Sequence, residues 1–122
     1  MSDVEIMVTF LLLNVSFYFF PLSMSSFTTR VELSDASYSD YQRLHTAMQN
    51  TGFSRTITGD NGIVYDLPDA EYDCIGSYSI EEVRSAASKA ASTTGKSHRI
   101  LVTQGNRAWV GLTPISKSAL HQ

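Results

Sequence analysis

The sequence contains two helix-like segments, each with a helix-start signal, and strand-like segments before, between and after them. This order of strands and helices constrains the fold more than any other feature. Residues 27–33 alternate apolar and polar side chains, as in a strand with one buried face. The segment that follows has helical spacing, begins with a capping-box pattern of Ser39 and Gln42, and ends at Gly52. We therefore expect a strand followed by a helix in this part of the chain.

The next segment carries a hairpin signal. Residues 53–58 and 63–67 have strand composition and flank Gly59–Gly62, a turn that ends in an Asn-Gly pair. Pro68 interrupts the pattern, which is typical of an edge strand or a bulge. Residues 70–75 either extend this hairpin or begin a new strand.

A second capping box, formed by Ser79 and Glu82, predicts a second helix that ends near Gly95. Residues 98–103 then form a core strand, and residues 108–112 a short terminal strand. The order β-α-β-β-α-β predicts an α+β, ferredoxin-like fold. This fold has an antiparallel sheet with both helices on one face, here with a short C-terminal hairpin in addition.

The chain of 122 residues is long enough for one domain, which we place at residues 24–115, with residues 116–122 as a polar tail. Residues 1–23 form an apolar extension. Its apolar run over residues 6–20 is shorter than the roughly twenty residues that a membrane-spanning helix needs, and it lacks the basic start of a secretory signal. Three interpretations stay open: sequence upstream of a true start at Met24, a membrane anchor, or an extra element that packs on the domain.

The charge balance and the cysteine count exclude several kinds of ligand and site. Nine basic residues oppose twelve acidic ones, so the domain can bind a polyanion only through locally clustered arginines. The single cysteine, Cys74, excludes an intramolecular disulfide and a Cys-rich metal site, and it fits a reducing, cytoplasmic location. The sequence contains no phosphate-binding loop, dinucleotide fingerprint or zinc-hydrolase motif, so we expect no nucleotide cofactor.

Three stretches carry a family resemblance: residues 41–57, residues 64–72, and the LVT and WVGLTPI segments within residues 101–115. Together they resemble the GhoS family of small enterobacterial proteins, the endoribonuclease antitoxins of type V toxin–antitoxin systems. The resemblance covers most of residues 26–115 and implies a ferredoxin-like fold similar in shape to small CRISPR-associated nucleases. It also implies cleavage of the messenger RNA that encodes a small membrane toxin.

The resemblance directs attention to the first helix. An Arg-Leu-Arg step of the family aligns with Arg43-Leu44-His45, so histidine replaces the second arginine. Cleavage of RNA without a metal needs a proton acceptor, a proton donor and a cation beside the phosphate. We therefore predict His45 as the catalytic acid or base and Arg43 as the phosphate clamp. The alternative is that both are solvated helix residues.

A metal-dependent route is a second possibility. The family's likeness to the CRISPR-associated nucleases suggests a carboxylate at the end of the first strand, and Asp35 occupies that position. One carboxylate binds magnesium poorly, so a divalent metal there requires a homodimer that brings two copies together. Otherwise Asp35 is an ordinary turn residue.

The open face of the sheet is the predicted RNA-binding surface. Arg30, Arg55 and Arg99 lie on three predicted strands, and on one face they would bind phosphates, with Tyr65 or Phe53 stacking on a base. Alternatively these arginines pair with neighbouring carboxylates such as Glu32.

The resulting functional hypothesis is a cytoplasmic endoribonuclease of a toxin–antitoxin system that acts on single-stranded messenger RNA. It needs no cofactor beyond a possible divalent metal. The alternative is a non-catalytic interaction or dimerisation module of the same fold. Contact with a membrane is expected only if residues 6–20 act as an anchor.

Overall fold

The computed structural model describes residues 23–115, so the predictions for the apolar extension up to residue 22 and for the tail from residue 116 lie outside the described residues. No helix within residues 23–115 has the length and apolar character needed to cross a bilayer. These described residues form seven elements in the order β1 (Ser25–Leu33), α1 (Tyr38–Thr51), β2 (Thr56–Thr58), β3 (Val64–Asp66), β4 (Glu71–Gly76), α2 (Ile80–Ser92) and β5 (His98–Gln104).

The central sheet has β1 in the middle, paired antiparallel with β4 on one side and β5 on the other. β2 and β3 form a separate two-stranded ribbon, and an isolated bridge between Ser54 and Asp73 ties the start of this ribbon to β4. Both helices lie on one face of the central sheet. The α+β, ferredoxin-like class predicted from the sequence is therefore confirmed.

The core explains why the helices cover only one face. In β1 every second residue is buried against the helices, as shown by Phe27, Thr29 and Val31, each fully buried. α1 contributes Leu44 and Met48 to the same cluster, and α2 contributes a smaller stripe of valine and alanine. Complete burial of a side chain such as Leu44 stabilises the folded state by roughly 1.5–3 kcal/mol relative to leaving it exposed. The outward residues of β1 keep polar side chains and form the open face.

Capping groups fix the helix starts. Glu82 and Ser79 form the predicted capping box of α2: Ser79 N donates to Glu82 Oε1 at 2.8 Å, and Glu82 N donates to Ser79 Oγ at 3.1 Å. For α1 the predicted box of Ser39 and Gln42 is wrong. The N-cap is Ser37, two residues earlier, because the Asp40 carboxylate accepts from Ser37 N at 2.8 Å. An aspartate in the third helical position closes the box as a glutamate would.

The terminal strand expected at residues 108–112 does not form. This stretch is irregular, with Val110 almost fully exposed and Gly111 at a φ of +81°. The chain then reaches the free edge of β3, where Asp66 N donates to Thr113 O at 3.0 Å and Ile115 N donates to the carbonyl of Val64 at 2.9 Å. The terminal segment therefore pairs with the ribbon through residues 113–115, beyond the range of the expected strand.

Candidate nucleic-acid interface

A histidine and a tyrosine meet between α1 and the sheet. His45 lies on the inner side of α1 with 8% of its surface exposed, and its Nδ1 is 2.6 Å from the hydroxyl oxygen of the fully buried Tyr72 on β4. The ring centroids are 5.8 Å apart. The hydrogen bond holds the imidazole in one orientation and occupies its Nδ1, so Nε2 is the nitrogen left for other contacts.

Burial sets the protonation of this pair. It lowers the pKa of His45 below the ordinary value of 6.5, and the nearby charge of Arg55 lowers it further, while Asp69 acts in the opposite direction. Burial also raises the pKa of Tyr72 to about 12. At neutral pH the imidazole is therefore uncharged and able to accept a proton, and the phenol keeps its own.

Arg55 supplies a cation beside the imidazole. Its side chain is 46% exposed, and its Nη2 lies 3.8 Å from Oδ1 of Asp69, which is fully exposed. An exposed ion pair at this distance contributes little to the stability of the protein. The guanidinium can therefore give up the carboxylate and bind a phosphate instead. The charge of Arg55 lowers the pKa of His45 and of Tyr72, so the guanidinium lies within electrostatic range of both residues. A proton acceptor and a group that can bind phosphate therefore influence each other.

Arg43 lies elsewhere. It precedes His45 by two positions, which corresponds to about 200° around the axis of an α-helix. Its side chain is 57% exposed, forms an ion pair with Asp40, and lines a groove of about 950 Å³ between α1 and α2. The structure therefore does not bring Arg43 and His45 into one site, and their catalytic roles stay predictions.

The open face does not collect the three predicted arginines. Arg30 and Arg99 do lie on it, but Arg99 pairs with Glu32 opposite it, and this hydrogen bond lowers the pKa of the Glu32 carboxyl. Arg30 stands opposite Glu71 of β4. Arg55 does not lie on a strand of the central sheet. Residue 54 forms only an isolated bridge with Asp73 of β4, and the chain then continues into the β2–β3 ribbon. The expected arginine cluster is wrong in geometry, and RNA binding by the individual side chains stays a prediction.

Asp35 follows β1, as expected. It has a left-handed φ of +50°, and its carbonyl accepts a hydrogen bond from Lys96 Nζ at 3.0 Å. Within residues 23–115 no group of three or more histidine, cysteine or acidic side chains is placed to hold a metal ion. A metal site at Asp35 would need ligands from a second copy, and it stays a prediction.

The helical face carries basic residues that the sequence analysis missed. Lys89 lines both the α1–α2 groove and a second groove of about 560 Å³ between α2 and β5, which Arg84, Ser88 and His98 also line. His98 Nε2 lies 3.1 Å from Ser88 Oγ. Among the described residues, Arg84 and Lys89 have no carboxylate within ion-pair distance. The four-residue spacing of Arg84, Ser88 and Ser92 on one helix face was the available signal.

Comparison with known proteins identifies one family. The family model described as Endoribonuclease GhoS matches residues 23–109, a range that includes both helices and all five strands. Searches of curated proteins and of solved structures give no significant match.

Proposed function

The chain belongs to the GhoS family of endoribonucleases, and from this membership we propose that it cleaves single-stranded messenger RNA encoding the toxin of a toxin–antitoxin system. The family supports cleavage of RNA in general, and the resemblance of the sequence to the antitoxins supports the choice of transcript. The observation that carries the chemistry is the imidazole of His45, held by the Tyr72 hydroxyl at 2.6 Å and within electrostatic range of the half-exposed guanidinium of Arg55.

In the proposed reaction the Nδ1–H of His45 donates to the hydroxyl oxygen of Tyr72, so Nε2 carries no proton and takes the proton of a ribose 2′-hydroxyl. The 2′-oxygen attacks the adjacent phosphorus, the bond from phosphorus to the 5′-oxygen breaks, and the leaving oxygen takes a proton from water. The products are a 2′,3′-cyclic phosphate and a 5′-hydroxyl end. Arg55 binds the phosphate and stabilises the negative charge that develops on its oxygens.

The small exposed edge of His45 explains why the proposed substrate is single-stranded. With 8% of the residue exposed, the imidazole is reached only by a nucleotide that leaves the stack and turns its sugar towards the protein. Nucleotides in a duplex have their backbone held by pairing, whereas single-stranded RNA adopts such a conformation at low cost. Tyr72 acts as a positioning residue because its hydroxyl fixes the imidazole.

The helical face supplies a path for the rest of the strand. Arg43 and Lys89 line the α1–α2 groove, and Arg84 continues the positive charge into the neighbouring groove. Contacts of this kind hold the RNA backbone without reading its sequence. Arg43 would accordingly contribute to binding the RNA, at a distance from the reacting phosphate.

A non-catalytic interaction module is the second candidate. It is favoured by the open face of the sheet, where Ile75 and Leu101 are 54% and 65% exposed and Leu101 lies near the paired charges of Glu32 and Arg99. Such a face would bind another protein. This role predicts a saturable protein complex and no cleavage of RNA.

The test is incubation of the purified full-length chain with a toxin transcript, followed by mapping of the cleaved ends. We expect fragments with 2′,3′-cyclic phosphate and 5′-hydroxyl ends, in the presence of a chelator as well as in its absence. An intact transcript after prolonged incubation would contradict the proposed activity. Fragments with 5′-phosphate ends that form only with added magnesium would contradict the role of His45 and favour a metal-dependent route.

A further inference from the structure

A third cavity lies away from His45, where the β2–β3 ribbon meets the loop after β5. It measures about 860 Å³. Tyr65 and Trp109 line it, with ring centroids 5.6 Å apart and ring planes at 63°. Both side chains are only half-buried, so each keeps part of its surface towards the cavity. Aromatic rings in such a position offer a stacking surface for a planar ligand.

The polar groups around these rings are of two kinds. Asn61 is held in place, since its Oδ1 accepts from Ile63 N at 2.9 Å and its Nδ2 donates to the Tyr65 hydroxyl at 3.3 Å. Asp60 and Asn106, in contrast, are exposed, and their side chains have no hydrogen-bond or ion-pair partner in the described part of the chain. The cavity therefore presents a carboxylate and an amide that are available to a ligand.

The charges argue against a phosphate in this cavity. The guanidinium of Arg107, which borders it, donates to Asp73 Oδ1 at 2.6 Å and to Phe27 O at 3.1 Å, and only 18% of its side chain is exposed. Its charge is thus neutralised by a buried partner. The Asp60 carboxylate repels anions. The combination of aromatic rings with hydrogen-bond acceptors instead suits the edge and face of a nucleobase.

The backbone at Gly59 is fitted closely to the rings. A Cβ at this position would lie 2.8 Å from Asn61 Oδ1, 3.3 Å from Trp109 Cζ2 and 3.5 Å from a carbon of the Tyr65 ring. A side chain here would therefore displace Asn61 or the indole. The absence of a side chain at residue 59 lets the turn support the aromatic pair.

We propose that this cavity binds one unstacked nucleobase of the RNA, with the base on the rings of Tyr65 and Trp109 and its donor edge on the Asp60 carboxylate. The inference rests on the proposed function, since it takes RNA as the ligand. Guanine fits best because its N1–H and N2–H₂ groups donate in parallel to the two oxygens of one carboxylate. Adenine, cytosine and uracil lack this pair of adjacent donors. The cavity would thus make the protein prefer RNA with an exposed guanine.

The test uses the fluorescence of Trp109, the only tryptophan of the chain. A short oligoribonucleotide with one guanine is titrated into the full-length protein, and a strand of equal length with an abasic site in place of the guanine is the comparison. We expect the guanine strand to quench Trp109 and to bind about fivefold or more tightly than the abasic strand, since stacking of one base contributes on this scale. Equal quenching and equal affinity would overturn the proposal.

Asp60→Asn tests the carboxylate, and Asp66→Asn is the matched control because Asp66 is an exposed acid of the same ribbon outside the cavity. We expect Asp60→Asn to remove the preference for guanine over adenine and Asp66→Asn to keep it. Equal behaviour of the two variants would overturn the role of Asp60.

Cleavage is measured on the same strands to separate the two proposals. Cleavage without any dependence on the base or on Asp60 would overturn the base-binding cavity and leave the proposed function standing. Guanine-dependent quenching without cleavage would support the cavity and contradict the nuclease.

Discussion

The Nδ1 atom of His45 lies 2.6 Å from the hydroxyl oxygen of Tyr72, and this hydrogen bond joins α1 to β4 through the core. Two polar groups are thereby buried together, each satisfying the other. The same bond orients the imidazole next to Arg55, whose charge helps to keep it neutral. The pair therefore connects the packing of the domain with its proposed chemistry.

Tyr72→Phe removes the hydroxyl and leaves the Nδ1 of His45 without its partner. We expect the free energy of unfolding to fall by about 1–3 kcal/mol, the cost of leaving a buried polar group without a hydrogen-bond partner. Urea unfolding measures this change. Tyr38→Phe is the control because the Tyr38 side chain is exposed, and it should leave the stability as it is. An equal loss in both variants would contradict the assigned role of the buried hydroxyl.

The lowered pKa of His45 predicts a pH dependence of stability. The unfolded chain binds a proton near pH 6.5, whereas the folded protein binds it only at a lower pH. The stability is therefore complete above about pH 6.5, and it falls as the pH drops from there through the folded pKa. His45→Asn keeps a polar group near Nδ1 and removes the titration, so it should flatten this part of the curve. Identical curves between pH 5 and 7 for the two proteins would contradict the burial of a neutral imidazole.

The start of α1 gives a prediction that separates the observed cap from the expected one. Ser37→Ala removes the oxygen that accepts from Asp40 N, and it should lower the free energy of unfolding by about 1 kcal/mol. Ser39→Ala, two residues later and inside the helix, should cost much less. Thermal unfolding of both variants decides between the two positions, and a greater loss at Ser39 would contradict the structure.

The Asp40 carboxyl makes the stability of the protein depend on pH in the acid range. Its hydrogen bonds to Ser37 and the nearby charges of Arg43 and Lys96 lower its pKa from 3.8 to about 2. The stabilisation is complete above about pH 4 and is lost as the pH falls through 2. Asp40→Asn should therefore lower the free energy of unfolding at pH 7. It should also reduce the loss of stability that the unchanged protein shows between pH 4 and 2. An unchanged acid transition would show that this carboxyl is not held as described.

The basic side chains of Lys89 and Arg84 on the helical face predict how RNA binding depends on salt. Lys89→Gln and Arg84→Gln should each weaken binding to all sequences and reduce the slope of log affinity against log salt by about 0.7, the value for one phosphate contact on a single strand. Lys96→Gln removes an equal charge that already lies 3.7 Å from Asp40, so its slope should be that of the unchanged protein. Equal slopes for all variants would place the RNA on another surface.

Local sequence patterns were sufficient for the fold because each element depends on near neighbours. The alternation in residues 27–33 and the Ser79–Glu82 box both act within a few residues, and both reappear in the structure. The start of α1 differs from the prediction because the aspartate at position 40 closes the capping box as a glutamate would. The terminal segment differs because its pairing depends on the position of β3, which no local pattern determines.

The candidate site depended on contacts that are distant in the sequence, and it was predicted only in part. His45 was selected as a reactive residue, but its partner Tyr72 lies 27 residues away on β4. Arg55 was assigned to the open face because β2 was expected to continue beside the central sheet. Ion pairs such as that of Arg99 with Glu32 also follow from strand register, which the sequence left undetermined.

In the proposed reaction His45 and Arg55 act together on the scissile phosphate, and single-turnover cleavage of a saturating toxin transcript measures the contribution of each. We expect His45→Asn to slow cleavage by about 10²–10⁴-fold and Arg55→Gln by about 10²–10³-fold, while Lys96→Gln should cleave as the unchanged protein does. Urea unfolding shows that each variant is folded. Full activity of folded His45→Asn, together with loss of activity in Arg43→Ala, would contradict the proposed role of His45 and place the chemistry in the groove between the helices.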